Sequence, residues 1–282
     1  MHDTTLPNHT KYYWGYQYRL AREFLVPYLQ RHGAFQSGAR IAEIGCAEAG
    51  VAMAFIEAGA TDVLGTDIQE QRLHYARQIA HTLHLPLSLS THNVLSDDIP
   101  NHWHRAFDLV ILRDVIEHLD DTYHALLTIQ HLLAPGGCVF IEFPPYTSPY
   151  GGHQHLLRNF WGKLPYVHLL PEALFRRMTL SGWHPVDIHE VQRLARIRLT
   201  VSAFKQAAQS AHYVIDREQY FLLRPVFHIK FGLPVVPLTA LRWIPGIQEY
   251  CSLEANYILR STLYSSSAEA SSTVHSEQRY SM

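Results

Sequence analysis

The stretch RIAEIGCAEAGVAMAF, Arg40 to Phe55, constrains the fold more than any other in this 282-residue chain. A short apolar strand, Ile41 to Ile44, runs through Gly45 into a helix-forming segment, Ala49 to Gly59. A strand that turns directly into a helix delivers backbone N–H groups to the carboxyl edge of a parallel sheet, where open α/β sheets bind their ligands. Alanine stands at 47 and 49, where a dinucleotide-binding turn has glycine. A methyl group at Ala47 would intrude on a pyrophosphate pressed against that backbone, which counts against NAD.

The same alternation continues downstream. Val63 to Thr66, Leu87 to Ser90, Leu109 to Leu112 and Val139 to Phe143 read as buried strands, and Glu70 to Leu83 and Thr122 to Leu133 read as helices between them. Such βαβ units imply a parallel sheet covered on both faces. Upstream, Trp14, Tyr18, Ala21, Leu25 and Leu29 mark one face of an amphipathic helix that Pro27 bends. Downstream, Pro171 to Gly182 predicts a helix, VDIHEVQ (186–192) a sixth strand and NYILR (256–260) a final strand. The expected fold is therefore a doubly wound, mostly parallel seven-stranded α/β sheet with an N-terminal helix and an insert between its last two strands. The expected division is a helical cap over 1–35, a core over 36–191, a lid insert over 192–253, the last strand over 254–261 and a disordered serine-rich tail over 262–282.

Composition narrows the partners. A formal net charge of −2 provides no sequence-wide basic field for nucleic acid. Cys46, Cys138 and Cys251 are far apart in sequence, which argues against a disulfide framework or a thiolate zinc site. With no signal-like start and no apolar run of about 18 residues, the expectation is a soluble, cytoplasmic protein without a transmembrane segment; peripheral membrane contact and oligomeric state stay open.

Asp67 closes the second strand about twenty residues past the turn, where a carboxylate accepts hydrogen bonds from ribose hydroxyls. Adenosine without pyrophosphate points to S-adenosylmethionine, whose carboxylate can use the helix N-terminus. At this point the sequence resembles the class I, Rossmann-like S-adenosylmethionine-dependent methyltransferases. AEIGCAEAG is similar to their acid-x-Gly-x-Gly-x-Gly turn with two alanines in place of glycine; VLGTDIQEQRLHYAR resembles their ribose segment. FDLVILRDVIEHLDD and LLAPGGCVFIEFP resemble their fourth- and fifth-strand motifs. The resemblance covers roughly 14–191 and the last strand. It implies that Glu43, Gly45 and Ala47 line the methionine end, Asp67 the ribose and Ile68 one adenine face. It further implies that Asn93 and Val94 lie at adenine and that Arg113, with Asp114, lies beside the transferred methyl group.

Methyl transfer needs an aligned acceptor and, for many acceptors, a base. His153, set after paired glycines beyond the fifth strand, is the first candidate base, and His118 in DVIEHL the second. His155 is a candidate substrate contact. His153 and His155 supply only two ligands with no matched acid or thiol cluster, so no metal is expected. The insert should form the acceptor pocket, with Tyr220, Phe221, Phe227, Phe231 and Trp243 as walls and Arg224 and Lys230 facing an anionic group. The expected activity is methyl transfer to oxygen or nitrogen of a small or lipid-like acceptor. The alternatives are a cofactor-binding module without turnover and an NAD-dependent oxidoreductase.

Overall fold

The computed structural model describes residues 6–182, 184–239, 243–244 and 246–263. The N-terminal helix α1 (Asn8–Leu20) passes through a π-helical turn, Ala21–Leu25, into α2 (Val26–Arg31). Pro27 lies in the first turn of α2, directly after this widened turn, because it has no N–H to continue the α-helical ladder. The core follows as β1 (Arg40–Ile44), α3 (Gly50–Glu57), β2 (Asp62–Asp67), α4 (Glu70–Thr82), β3 (Leu87–Thr91), β4 (Phe107–Arg113), α5 (Thr122–Leu132) and β5 (Leu133–Phe143). After it come α6 (Glu172–Thr179), α7 (Pro185–Ile197), α8 (Val201–Ser210), β6 (Tyr213–Leu223), α9 (Pro225–Phe231), β7 (Val236–Pro237), α10 (Ile247–Cys251) and β8 (Glu254–Ser261).

These strands form one eight-stranded sheet in the order β3-β2-β1-β4-β5-β8-β6-β7, with β8 antiparallel to both β5 and β6. Its alternating side chains feed two cores. Ala42, Val110, Ile141 and Tyr257 pack on the side of α5 and α8, while Ile41, Leu109, Phe140 and Ile258 pack on the side of α2, α3 and α4. The doubly wound α/β fold expected from sequence is present, with the two-residue β7 as an eighth strand.

The expected sixth strand at 186–192 is instead helix α7. The His184 side chain accepts from the Val186 N–H, Pro185 starts the helix, and Ile188, Val191 and Ala195 recur at helical spacing. They pack on Leu157, Val167, Phe175 and Met178 as a third, smaller core outside the sheet. The actual sixth strand is β6, so 192–253 is not a pure insert: α8 and β6 within it belong to the central sheet layer. Two covering segments result, 144–200 after β5 and 224–253 between β6 and β8. The tail expected to be disordered lies outside the described residues from 264 onward. No helix among the described residues is long and apolar enough to cross a membrane.

Candidate active site

At the end of β1, Gly45 adopts φ 72°, and a Cβ there would lie 2.4 Å from Val115 Cγ2, so the turn is pressed against the segment leaving β4. Ala47 and Ala49 keep the left-handed conformation at φ 54° and 58°. The alanines thus preserve the backbone path that glycine would take. Asp67 fixes it: one carboxylate oxygen accepts from the Ala47 N–H at 2.9 Å and the other from the Gln69 N–H at 2.8 Å. Glu43 accepts from the Ala52 N–H at 2.8 Å inside α3, and burial pushes its carboxyl up to about 8. Glu48 forms a two-bond pair with Arg72 at 2.6 and 3.1 Å, and the Arg72 guanidinium lies 4.5 Å from the Tyr13 ring centre.

Of the residues expected at adenine, Ile68 is 65 % exposed beside Asp67 and free to cover a planar base. Val94 has its side chain in the core, and the Asn93 side-chain carbonyl accepts from the Leu95 N–H at 3.0 Å. That oxygen has a second lone pair for an amino group.

Helix α1 lies across this edge. Gln17 accepts a hydrogen bond from Arg113, and the Trp14 indole N–H points at Met53 Sδ, 3.2 Å away. Behind Arg113 lies a buried charge network. Arg113 bonds Asp114 at 3.1 Å and pairs with Glu142 at 3.0 Å; Arg224 bonds Asp114 at 2.7 Å, Glu142 at 3.1 Å and Glu254 at 2.8 Å. Burial alone would raise Asp114, but the two guanidiniums outweigh it and hold the carboxyl well below the usual range. Arg224, expected to meet the acceptor, lines the cavity with its charge answered by three carboxylates.

A cavity of about 640 Å³ opens above this network, walled by Arg113, Asp114 and Pro144 at the ends of β4 and β5, by Tyr16 of α1, by the 148–163 loop and by α9. His153 and His155 both line it. Phe227 and Phe231 also line it, whereas Tyr220 and Phe221, expected there, belong to β6 and are buried. His118, His153 and His155 form a chain of rings with centres 5.2 and 5.7 Å apart. Burial, with the neighbouring imidazoles, pushes His153 down to about 3, so its ring is neutral and holds a proton only weakly. Burial would lower His118 as well, yet the Glu117 and Glu190 carboxylates prevail and raise it. His118 Nδ1 and a carboxylate oxygen of Glu190 on α7 lie 2.5 Å apart, leaving Nε2 turned toward Glu117 at 3.6 Å.

Sequence reasoning named neither Glu190 nor Glu117 as a site residue. Both Glu117 oxygens are buried without a hydrogen-bond partner among the described residues, and burial pushes this carboxyl up to about 7. One ligand atom each from Glu117, His118 and His153 fall within 4.8 Å of one another. The sequence reading counted only the two loop histidines and so had no reason to expect this cluster.

A family model described as a methyltransferase domain matches residues 42–139, from β1 to β5. Over that span the chain is similar to methyltransferase domains. The ubiquinone biosynthesis O-methyltransferase of Roseobacter denitrificans is 28 % identical over 161 residues, 53 % of this chain and 62 % of that protein. The tRNA 5-carboxymethoxyuridine methyltransferase of Escherichia coli is 26 % identical over 154 residues, 54 % and 56 % of the two chains. The chain therefore spans less than two thirds of the length of these relatives. Among solved structures, an S-adenosylmethionine-dependent methyltransferase from Mesorhizobium loti superposes with a TM-score of 0.53 at 17 % identity, covering 83 % of this chain and 96 % of that one. The methyltransferase family implies S-adenosylmethionine as cofactor. The residues present fit it: an acid at each of β1 and β2, an anion-compatible helix start, and a turn in which methyl groups replace the glycine hydrogens.

Proposed function

We propose that the chain is an S-adenosylmethionine-dependent methyltransferase acting on oxygen or nitrogen of a small or lipid-like acceptor. The observation that carries this reading is the 640 Å³ cavity, whose floor, Arg113 and Asp114, is also the end of the strand next to the cofactor turn. Glu43, Gly45 and Ala47 would hold the methionine end, Asp67 the ribose, and Ile68, Asn93 and Val94 the adenine. When bound, the cofactor supplies a methyl carbon made electrophilic by its sulfonium. The chain's own task is to hold the acceptor, exclude water and take a proton. His153, neutral and on the cavity wall, is placed for that. Calorimetry tests the reading: S-adenosylmethionine and its demethylated product should bind with micromolar affinity and NAD should not. NAD binding, or no binding of either adenosyl compound, overturns it.

The unpartnered Glu117 oxygens favour a second reading of the chemical step. Glu117, His118 Nε2 and His153 would hold a divalent cation, with Glu190 fixing the His118 tautomer from behind, as carboxylates do for metal-binding imidazoles. Bonds of about 2.0–2.2 Å require the three groups to draw together slightly. A cation there would contribute positive charge beside the acceptor. Cobalt(II) titration decides it: ligand-field absorption should appear with the wild type and vanish in Glu117→Gln and His153→Ala. A flat spectrum leaves His153 as the base.

A further inference from the structure

The cations around the acceptor cavity differ in what answers them. Arg113 and Arg224 are bound to Asp114, Glu142 and Glu254 and have little charge left for a ligand. Lys230 on α9 is half-buried on the cavity wall, and among the described residues no carboxylate lies within ion-pair distance of its ammonium. Its ammonium lies over the face of Tyr16, 3.8 Å from the ring centre. Arg158 and Lys163 line the same cavity from the opposite loop, exposed and likewise without a carboxylate partner among the described residues. A partly desolvated ammonium set over a π-face is costly unless an anion completes it. Burial, reinforced by Arg224 and only partly opposed by Asp114, pulls the Lys230 ammonium down to about 8. Val226, Phe227, Phe231 and Leu253 make an apolar stretch of the same wall.

We infer that the acceptor carries an anionic group, a carboxylate or phosphate, on an apolar or aromatic body, and that Lys230 is its counter-ion. The anion sits at the α1–α9 side, assisted from the loop by Arg158 and Lys163, while the body lies against Phe227 and Leu253. This rests on the cavity being the acceptor site. It also separates the roles of the two residues first paired as anion contacts: Arg224 holds the floor and Lys230 reads the acceptor.

The experiment uses the full chain saturated with S-adenosylhomocysteine, whose own binding is measured first, so that failure there is failure of the methyltransferase reading and not of this one. The probes are 2-naphthoate, 2-naphthyl phosphate and the neutral 2-naphthamide. The wild type should bind at least one anion about tenfold to hundredfold tighter than the amide, the range for one charge-assisted contact. Lys230→Met should bring anion and amide within about twofold while S-adenosylhomocysteine affinity stays constant, and Lys230→Arg should restore most of the preference. A second measurement needs no variant: in the wild type the preference should fall as pH rises from 7 to about 10 through the ammonium's titration. The other groups facing Lys230 do not titrate in that window: Arg113 and Arg224 stay charged, Asp114 stays ionised, His155 is already lowered by burial, and burial raises Tyr16 above it. Equal binding of anions and amide, an undiminished preference in Lys230→Met, or no probe bound at millimolar concentration overturns the inference.

Discussion

Two glycines on facing helices give a paired test of how α1 closes over the site. Gly50 begins α3, and a Cβ on it would lie 2.7 Å from the Trp14 carbonyl oxygen, 2.9 Å from the Tyr18 nitrogen and 3.0 Å from Gln17 Cβ. The first two are backbone atoms that no side-chain rotation can move, so Gly50→Ala must push α1 off α3. Overpacking of this kind costs about 1–3 kcal/mol, partly offset by the roughly 0.5–1 kcal/mol that alanine gains over glycine in a helix. The net loss of about 1–2 kcal/mol should lower the melting temperature by roughly 2–6 °C in a chain of this size. A Cβ on Gly15 of α1 would meet nothing within 4 Å, so Gly15→Ala should instead gain up to about 1 kcal/mol of helix propensity. Melting curves read the opposite signs. Hydrogen exchange over 8–20 should quicken in Gly50→Ala, because that helix also places Gln17 on Arg113 and Tyr16 in the cavity wall. Equal stability of Gly50→Ala and wild type, with unchanged exchange in α1, would refute the close packing of the two helices.

Other expectations follow from single groups. Asp67→Ala should weaken cofactor binding about tenfold to hundredfold in calorimetry; it should also lower the melting point, because the Ala47 and Gln69 N–H groups lose their acceptor. Arg224→Met leaves Glu254 without its cation and Asp114 with Arg113 alone, and should cost about 3–5 kcal/mol in denaturant unfolding. Glu43, raised by burial to about 8, contributes its stability in full below the unfolded carboxyl's pKa and loses it as pH rises toward 8. The melting point of Glu43→Gln relative to wild type should accordingly climb between about pH 5 and 8. His153→Ala should slow turnover about 10²–10⁴-fold with cofactor affinity intact, once an acceptor is in hand.

β1, β2, β4 and β5 were legible as apolar runs buried on both faces, and β3, LSLST at the sheet edge, by its place in the alternation of strands and helices; the expected cofactor edge was legible because acids close β1 and β2. The sixth strand was not. β6 reads YVIDREQYFLL, with Asp216, Arg217 and Glu218 at an irregularity between Ile215 and Arg217, and with only the two-residue β7 on its outer side. Its period-2 signal is diluted where it is least buried. VDIHEVQ gave the opposite error: Val186 is 66 % exposed, and the residues that matter, Ile188, Val191 and Ala195, become a stripe only at helical spacing. The acceptor side depended on contacts that no local pattern holds. Glu190 meets His118 across 72 positions, and Arg224 meets Asp114 across 110. Chain order gives no hint of either pair, because each joins residues that only the tertiary fold brings together.

The alanines at 47 and 49 bear on the cofactor more directly than the fold does. A left-handed alanine costs about 1–2 kcal/mol, and such strain persists where the surroundings over-determine the backbone. Here they do: Ala47 donates to Asp67, Ala49 donates to the Cys46 carbonyl at 2.7 Å, and both methyl groups are buried, at 7 % and 0 % exposure. The N–H groups therefore keep the directions that a glycine turn would give them. A carboxylate and an amine reach such a turn by hydrogen bonds at its rim and require no contact flush with the Cα hydrogens. On the proposed placement of the cofactor, the alanines would favour a ligand that brings adenosine to Asp67 without a diphosphate between them.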